Sequence, residues 1–91
     1  DFVCTVKKSA TIEEINAMMK RESEKPAMKA IFSYTEDPIV SSDIIHDSHS
    51  VIFDAQSTKV IGNMVKIMGW YDNEWGYSNR VVDLCIKIMN L

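Results

Sequence analysis

The spacing of apolar positions divides the chain into short strands and two helices. Five segments are rich in β-branched and aromatic residues, a composition that predicts strands. These segments are Phe2–Val6, Lys29–Tyr34, Val51–Ala55, Thr58–Ile61 and Met64–Tyr71. The last two flank Gly62 and Asn63, a pair suited to a two-residue hairpin turn in which Gly62 adopts a positive φ.

Two segments with a helical period complete the pattern. The first begins at Thr11–Glu14, which has the form of a capping box, and it should end before Pro26 because proline excludes the α conformation from its predecessor. The second should begin at Asp72 or Asn73, since either side chain can cap a helix, and should run to about Asn90. Its apolar band is wide, which predicts that most of this helix is buried.

The order of these elements, a strand and a helix followed by several strands with at least one hairpin and then a final helix, indicates an α+β fold. We expect a mixed, largely antiparallel sheet of four to five strands, with the two main helices on one face. The 91 residues form one domain in this interpretation, and their 46% hydrophobic content suffices for a single core. The chain has no initiator Met before Asp1, so we expect it to begin inside a longer protein.

Charge and cysteine content exclude several classes of function. The net charge of −3 argues against a basic face for nucleic acid or an anionic membrane. No apolar run approaches the ~20 residues that span a bilayer, and the N-terminus lacks the features of a signal peptide. Cys4 and Cys85 lie far apart among apolar neighbours, which is typical of free, buried thiols in a reducing compartment. We therefore expect a cytoplasmic protein.

The most distinctive stretch is Trp70–Arg80, with the sequence WYDNEWGYSNR. It lies where the last predicted strand meets the last helix, and such junctions commonly carry ligand-binding groups. Gly76 falls in the first helical turn, where a missing side chain lets another backbone or a ring approach closely. On periodicity alone, the stretch is interpreted as a capped helix start with buried aromatic side chains.

Trp70–Arg80 closely resembles the C-terminal strand-to-helix junction of the glyceraldehyde-3-phosphate dehydrogenase family, and so does the VVDL that follows. KAIFSYTED at Lys29–Asp37 and VIFDA at Val51–Ala55 are similar to two earlier strands of that family, in the same order. The resemblance covers most of the chain and implies the C-terminal half of a catalytic domain. It also implies a parent enzyme that oxidises an aldehyde through a cysteine thiohemiacetal, reduces NAD and releases the acyl group to phosphate.

The resemblance implies roles for two residues. Asn73 would hold the nicotinamide carboxamide of NAD, because an amide side chain both donates and accepts hydrogen bonds. Tyr77, one helical turn later, would pack beside the nicotinamide ring. The alternatives are a helix cap for Asn73 and a core contact for Tyr77.

The parent enzyme's other parts are missing from the chain. No G-x-G-x-x-G motif indicates a Rossmann domain, and no residue matches the family's nucleophilic cysteine segment or its catalytic histidine, so no catalytic residue is assigned. The implied partners are the N-terminal NAD-binding domain, the rest of the catalytic domain and the other subunits of a homotetramer.

Other candidate groups carry weaker signals. His46 and His49 have the H-x-x-H spacing of some metal sites, but no third ligand accompanies them, so no metal is predicted. Ser41–Asp43 should start a single helical turn, whose free N–H groups suit an anion, but the neighbouring carboxylates oppose one. Cys4 in a strand and Cys85 late in a helix lack the setting that favours a thiolate.

Two other functions stay open. The sister enzymes that act on erythrose 4-phosphate share the DNEWG segment, although the continuation Tyr77–Arg80 favours the glyceraldehyde enzymes. A free-standing α+β interaction module without catalysis belongs to a different class. The sequence upstream of Asp1 would discriminate a dehydrogenase from the module, because only a dehydrogenase would carry a Rossmann motif and a nucleophile segment there.

Overall fold

A computed structural model describes all residues from Asp1 to Leu91. The strands are β1 (Phe2–Thr5), β2 (Phe32–Thr35), β3 (Val51–Asp54), β4 (Lys59–Ile61), β5 (Met64–Ile67) and β6 (Gly69–Trp70). The α-helices are α1 (Ile12–Glu24) and α2 (Trp75–Met89), and single-turn 3-10 helices lie at Ser41–Ile44 and Ala55–Ser57. Neither α-helix is long and apolar enough to cross a membrane.

The strands form two three-stranded sheets. The first has the order β1-β5-β4 and is antiparallel throughout. The second has the order β2-β3-β6, in which β2 and β3 are parallel and β3 and β6 are antiparallel. The predicted α+β class, with mixed and largely antiparallel pairing, is therefore confirmed.

The division into two sheets differs from the single sheet of four to five strands that the pattern predicts. The predicted strand Met64–Tyr71 is interrupted at Met68, so its first part pairs in one sheet and its second part in the other. Gly69 permits the second pairing, because a Cβ placed there would lie only 2.5 Å from Val51 Cγ2.

The predicted strand Lys29–Tyr34 begins later than expected, at Phe32. The preceding residues continue in hydrogen-bonded turns after α1: the Lys29 N–H donates to the Lys25 carbonyl at 2.9 Å, and the Phe32 N–H donates to the Met28 carbonyl at 2.8 Å. These turns satisfy the backbone groups that a longer strand would have used.

Two local predictions are confirmed. The capping box of α1 forms, with the Glu14 N–H donating to Thr11 Oγ1 at 3.1 Å and the Thr11 N–H donating to Glu14 Oε1 at 3.3 Å. Gly62 has a φ of 58°, as the turn between β4 and β5 requires.

One small core joins α1 to both sheets. Its buried members are Ile15, Phe53, Ala55 and Val65. Asn16 adds polar ties, since its Nδ2 donates to the Ala55 carbonyl at 2.9 Å and its Oδ1 accepts from Thr58 Oγ1 at 2.7 Å. The end of β3 is thereby fixed to α1.

Helix α2 does not take part in this core. Its only buried residue is Gly76, and residues 81–90 are all exposed. The exposed apolar side chains of α2 are Trp75, Tyr77, Val81, Val82, Leu84, Ile86, Ile88 and Met89. The prediction that most of this helix is buried is therefore wrong for this chain, because the rest of the chain packs only on the helix's first turns.

Candidate functional site

A cleft of about 350 Å³ opens at the N-terminus of α2. The connection from β6 to α2, the first turns of α2 and the residue before β3 line it. The lining residues are Ser50, Tyr71, Asp72, Asn73, Gly76, Tyr77 and Arg80. The two site residues that the sequence singled out, Asn73 and Tyr77, therefore share one cleft.

Asp72 caps α2. Its Oδ1 accepts hydrogen bonds from the Glu74 N–H at 3.1 Å and the Trp75 N–H at 3.0 Å. Glu74 directly precedes the helix but makes no cap bond with its side chain. Of the two predicted caps, Asp72 is thus confirmed and Asn73 is wrong: the exposed Asn73 side chain makes none of the chain's hydrogen bonds.

The second carboxylate oxygen of Asp72 reaches a distant segment. Oδ2 accepts from the backbone N–H of His46 at 2.9 Å. Hydrogen bonds to the charged form, from Trp75 first and then from His46, hold the pKa of Asp72 below its ordinary value of 3.8. The carboxylate is therefore ionised at neutral pH and joins the start of α2 to the loop that contains His46.

His46 completes this junction. Its backbone lies in the left-handed region, with a φ of 64°, which is uncommon for a residue with a side chain. Its ring lies against Trp75, with the ring centroids 5.0 Å apart. The left-handed backbone thus coincides with two contacts to the start of α2, one through the N–H and one through the ring.

Gly76 and Arg80 make further contacts between α2 and the loop that precedes β3. A Cβ on Gly76 would lie 2.8 Å from the His49 carbonyl oxygen, so the predicted close approach of another backbone is confirmed. Arg80 Nη1 donates to Ser50 Oγ at 3.2 Å, and Arg80 Nε donates to Asp83 Oδ2 at 2.9 Å. The first turns of α2 are therefore fastened to the loop that leads into β3.

Sequence reasoning assigned no role in the site to Arg80 or Ser50. Arg80 had a usable signal, because Asn73, Tyr77 and Arg80 follow the i, i+4, i+7 spacing of one helical face. Ser50 had none, since it lies in a loop far earlier in the chain and meets Arg80 only through the fold.

The structure separates the two histidines. His49 Nδ1 lies 2.7 Å from Asp47 Oδ1, and His49 Nε2 lies 3.1 Å from the Lys29 carbonyl, whereas the His46 ring contacts Trp75. No group of three or more His, Cys, Asp and Glu side chains is placed to hold a metal ion. The two histidine rings therefore contact different neighbours in the chain.

The remaining candidates are also accounted for by their local surroundings. The predicted single turn forms at Ser41–Ile44, where Asp43 Oδ2 accepts from the Val40 N–H at 2.8 Å, so a carboxylate lies at its start. Cys4 is partly buried as expected, but Cys85 is exposed. The expectation of a buried thiol is wrong for Cys85 because nothing in the chain covers α2 beyond its first turns.

Several known proteins are similar to this chain over most of its length. Residues 1–73 match the family described as glyceraldehyde 3-phosphate dehydrogenase, C-terminal domain. The chain is 55% identical over 84 residues to the glyceraldehyde-3-phosphate dehydrogenase of Mycolicibacterium smegmatis. The aligned region covers 92% of the chain and 24% of that protein. It is 54% identical over 89 residues to the protein of Pinus sylvestris named cytosolic glyceraldehyde-3-phosphate dehydrogenase. The aligned region covers 97% of the chain and 26% of that protein.

These matches concern part of a longer protein. The chain spans about a quarter of the length of the curated relatives it matches, at 24% and 26% for these two. The family match ends at Asn73, inside the cleft, while the relatives extend the similarity over nearly the whole chain. The chain belongs to the family of glyceraldehyde-3-phosphate dehydrogenase C-terminal domains.

Proposed function

We propose that this chain is the part of an NAD-dependent, phosphorylating glyceraldehyde-3-phosphate dehydrogenase that orients the nicotinamide. In that glycolytic reaction, glyceraldehyde 3-phosphate, phosphate and NAD give 1,3-bisphosphoglycerate and NADH. One observation carries the proposal: Asp72 caps the helix, so the amide of Asn73 stays exposed and without a partner in the cleft. That amide is free to pair with a carboxamide, which needs one donor and one acceptor.

Tyr77 supports the same assignment. It lies one turn after Asn73, lines the same cleft and is 71% exposed. The alternative role, a contact in the core of this chain, is therefore not available to it. An aromatic ring beside the amide offers a flat apolar face on which a nicotinamide ring can lie.

The chain's own contribution to the reaction is binding and orientation. NAD, when bound, accepts the hydride. Asn73 would fix the rotation of the carboxamide and hence the face of the ring that is presented, while Tyr77 would limit the ring's sideways movement. Holding reactants in the productive geometry lowers the barrier without any covalent step by these two residues. The nucleophile, the base and the phosphate sites would lie in the rest of the protein.

The rest of the protein would also cover α2. Its long apolar face includes Val81, Leu84 and Ile88. Leu84 and Ile88 are each more than half exposed, and Val81 is 42% exposed. Contiguous apolar faces of this kind mark interaction surfaces. We assign the cover to the N-terminal NAD-binding domain and the remaining catalytic domain, within a cytosolic homotetramer.

This assignment predicts that the isolated chain self-associates or binds a hydrophobic dye. Sedimentation velocity and dye fluorescence at low protein concentration measure the two outcomes. The double substitution Leu84→Lys and Ile88→Lys should reduce both signals. The control is Ile61→Lys, because Ile61 is also exposed, at 79%, but lies on β4 away from α2. A clean monomer without dye binding would count against a missing partner domain.

The enzyme assignment is tested on the full-length protein that contains this chain. NAD reduction should require phosphate, and kcat/KM should be higher for glyceraldehyde 3-phosphate than for erythrose 4-phosphate. A preference for erythrose 4-phosphate would replace the proposal with the sister activity. The absence of turnover with either aldehyde would favour a non-catalytic interaction module.

A further inference from the structure

We propose that Asp72 is a positioning residue, which sets the place of Asn73 by clamping the start of α2 to the His46 loop. This inference rests on the proposed role of Asn73 toward the nicotinamide. It assigns to Asp72 no contact with NAD, only an effect that is transmitted through its neighbour.

The geometry around Asn73 supports the clamp. The Asp72 Oδ1 bond to the Glu74 N–H spans the single residue between them, which is Asn73. This Asx turn restricts the backbone of Asn73. The Asn73 side chain itself makes no hydrogen bond within the chain. The direction of the Asn73 amide therefore depends on the Asp72 carboxylate.

The second oxygen fixes the turn in space. Oδ2 accepts from the His46 N–H at 2.9 Å, a bond between residues that are 26 positions apart. His46 also lies against Trp75, so the loop and the first residue of α2 share a second contact besides the carboxylate. An Asx turn without this bond would keep the helix start formed but would hold it less tightly to the loop.

The clamp needs two acceptor oxygens, and this requirement defines the test. Asparagine offers one oxygen, so Asp72→Asn can retain the helix cap or the His46 bond but not both. Serine caps a helix well, but it has a single hydroxyl oxygen on a shorter side chain. Asp72→Asn should therefore break one of the two connections that hold Asn73 in place, and Asp72→Ser should release the loop while leaving the helix start capped.

The measurement compares the affinities of the full-length protein for NAD and for ADP-ribose, which lacks the nicotinamide. Asp72→Asn should lower NAD affinity relative to ADP-ribose affinity roughly tenfold, the effect of about one lost hydrogen bond. A purely structural role would lower both affinities together or only the melting temperature. Asp72→Ser should keep the melting temperature near wild type and still lower the ratio, so the test does not depend on the stability of the asparagine variant.

Asp43→Asn is the matched control. Asp43 is an exposed aspartate whose carboxylate, like that of Asp72, accepts from a backbone N–H at the start of a turn, at 2.8 Å from Val40 N, but it bonds only within its own segment. Its substitution should leave the ratio of NAD to ADP-ribose affinity unchanged.

A double substitution separates this inference from the function on which it rests. In an Asn73→Ala background, Asp72→Asn should not lower the affinity ratio further, because the residue through which it acts is gone. If Asn73→Ala alone leaves the ratio at the wild-type value, the proposed function of Asn73 is wrong. If Asn73→Ala lowers the ratio but Asp72→Asn and Asp72→Ser do not, or Asp72→Asn lowers it equally in both backgrounds, the positioning role is overturned.

Discussion

The isolated chain should reduce no NAD above background when it is supplied with glyceraldehyde 3-phosphate and phosphate. Neither cysteine lies in the cleft: Cys4 is in β1, and Cys85 is late in α2. The chain also has no glycine-rich segment with which to bind the pyrophosphate of a dinucleotide. The loss relative to the full-length protein, if that protein has the proposed activity, should therefore be complete.

The assay is NAD reduction at high concentration of the chain, with circular dichroism to show that its helices and strands are formed. The double substitution Cys4→Ser and Cys85→Ser is the control for adventitious thiol chemistry. Turnover that persists in this double variant would contradict the view that the nucleophile lies elsewhere in the protein.

Features that depend on neighbouring residues were predictable from the sequence. The capping box at Thr11–Glu14 and the positive φ of Gly62 each follow from residue types a few positions apart. The close backbone approach at Gly76 was predictable in kind, because a glycine in a first helical turn leaves room. Its partner, the His49 carbonyl, was not.

Features that depend on contacts between distant segments could not be predicted from the order of apolar and polar residues. The composition of Met64–Tyr71 predicts a strand, but it does not reveal that Met68 divides the strand between two sheets. The apolar band of α2 predicts that something covers the helix. It cannot say whether that cover belongs to this chain, and the exposure of residues 81–90 shows that this chain does not supply it.

The candidate site divides in the same way. The shared cleft of Asn73 and Tyr77 follows from their separation by one helical turn. The choice of cap was undecided, because Asp72 and Asn73 are adjacent and equally suited, and only the hydrogen bonds of Asp72 settle it. The His46 and Ser50 contacts join segments that local spacing cannot relate.

The second large effect is expected for Asn73→Ala in the full-length protein. A neutral hydrogen bond contributes roughly 0.5–1.5 kcal/mol net, and a buried partner left unpaired costs roughly 1–3 kcal/mol. The change should therefore lower NAD affinity or kcat/KM by roughly ten- to a hundred-fold. Because Asp72 makes the cap, the melting temperature should hardly change.

Asn63→Ala serves as the control for this substitution. Asn63 is also exposed, but it lies in the turn between β4 and β5, away from the cleft. Its replacement should leave the NAD kinetics at wild-type values. A drop in melting temperature for Asn73→Ala, without a kinetic change, would return Asn73 to a structural role.

The most direct test of the central claim is the steady-state kinetics of Asn73→Ser for NAD in the full-length protein, with the melting temperature measured alongside. Serine supports a helix start as well as asparagine does, but its hydroxyl cannot supply the paired donor and acceptor of a carboxamide. If Asn73 orients the nicotinamide, the variant melts like the wild type, and its kcat/KM for NAD falls by roughly ten- to a hundred-fold. Wild-type kinetics in this variant would contradict the claim.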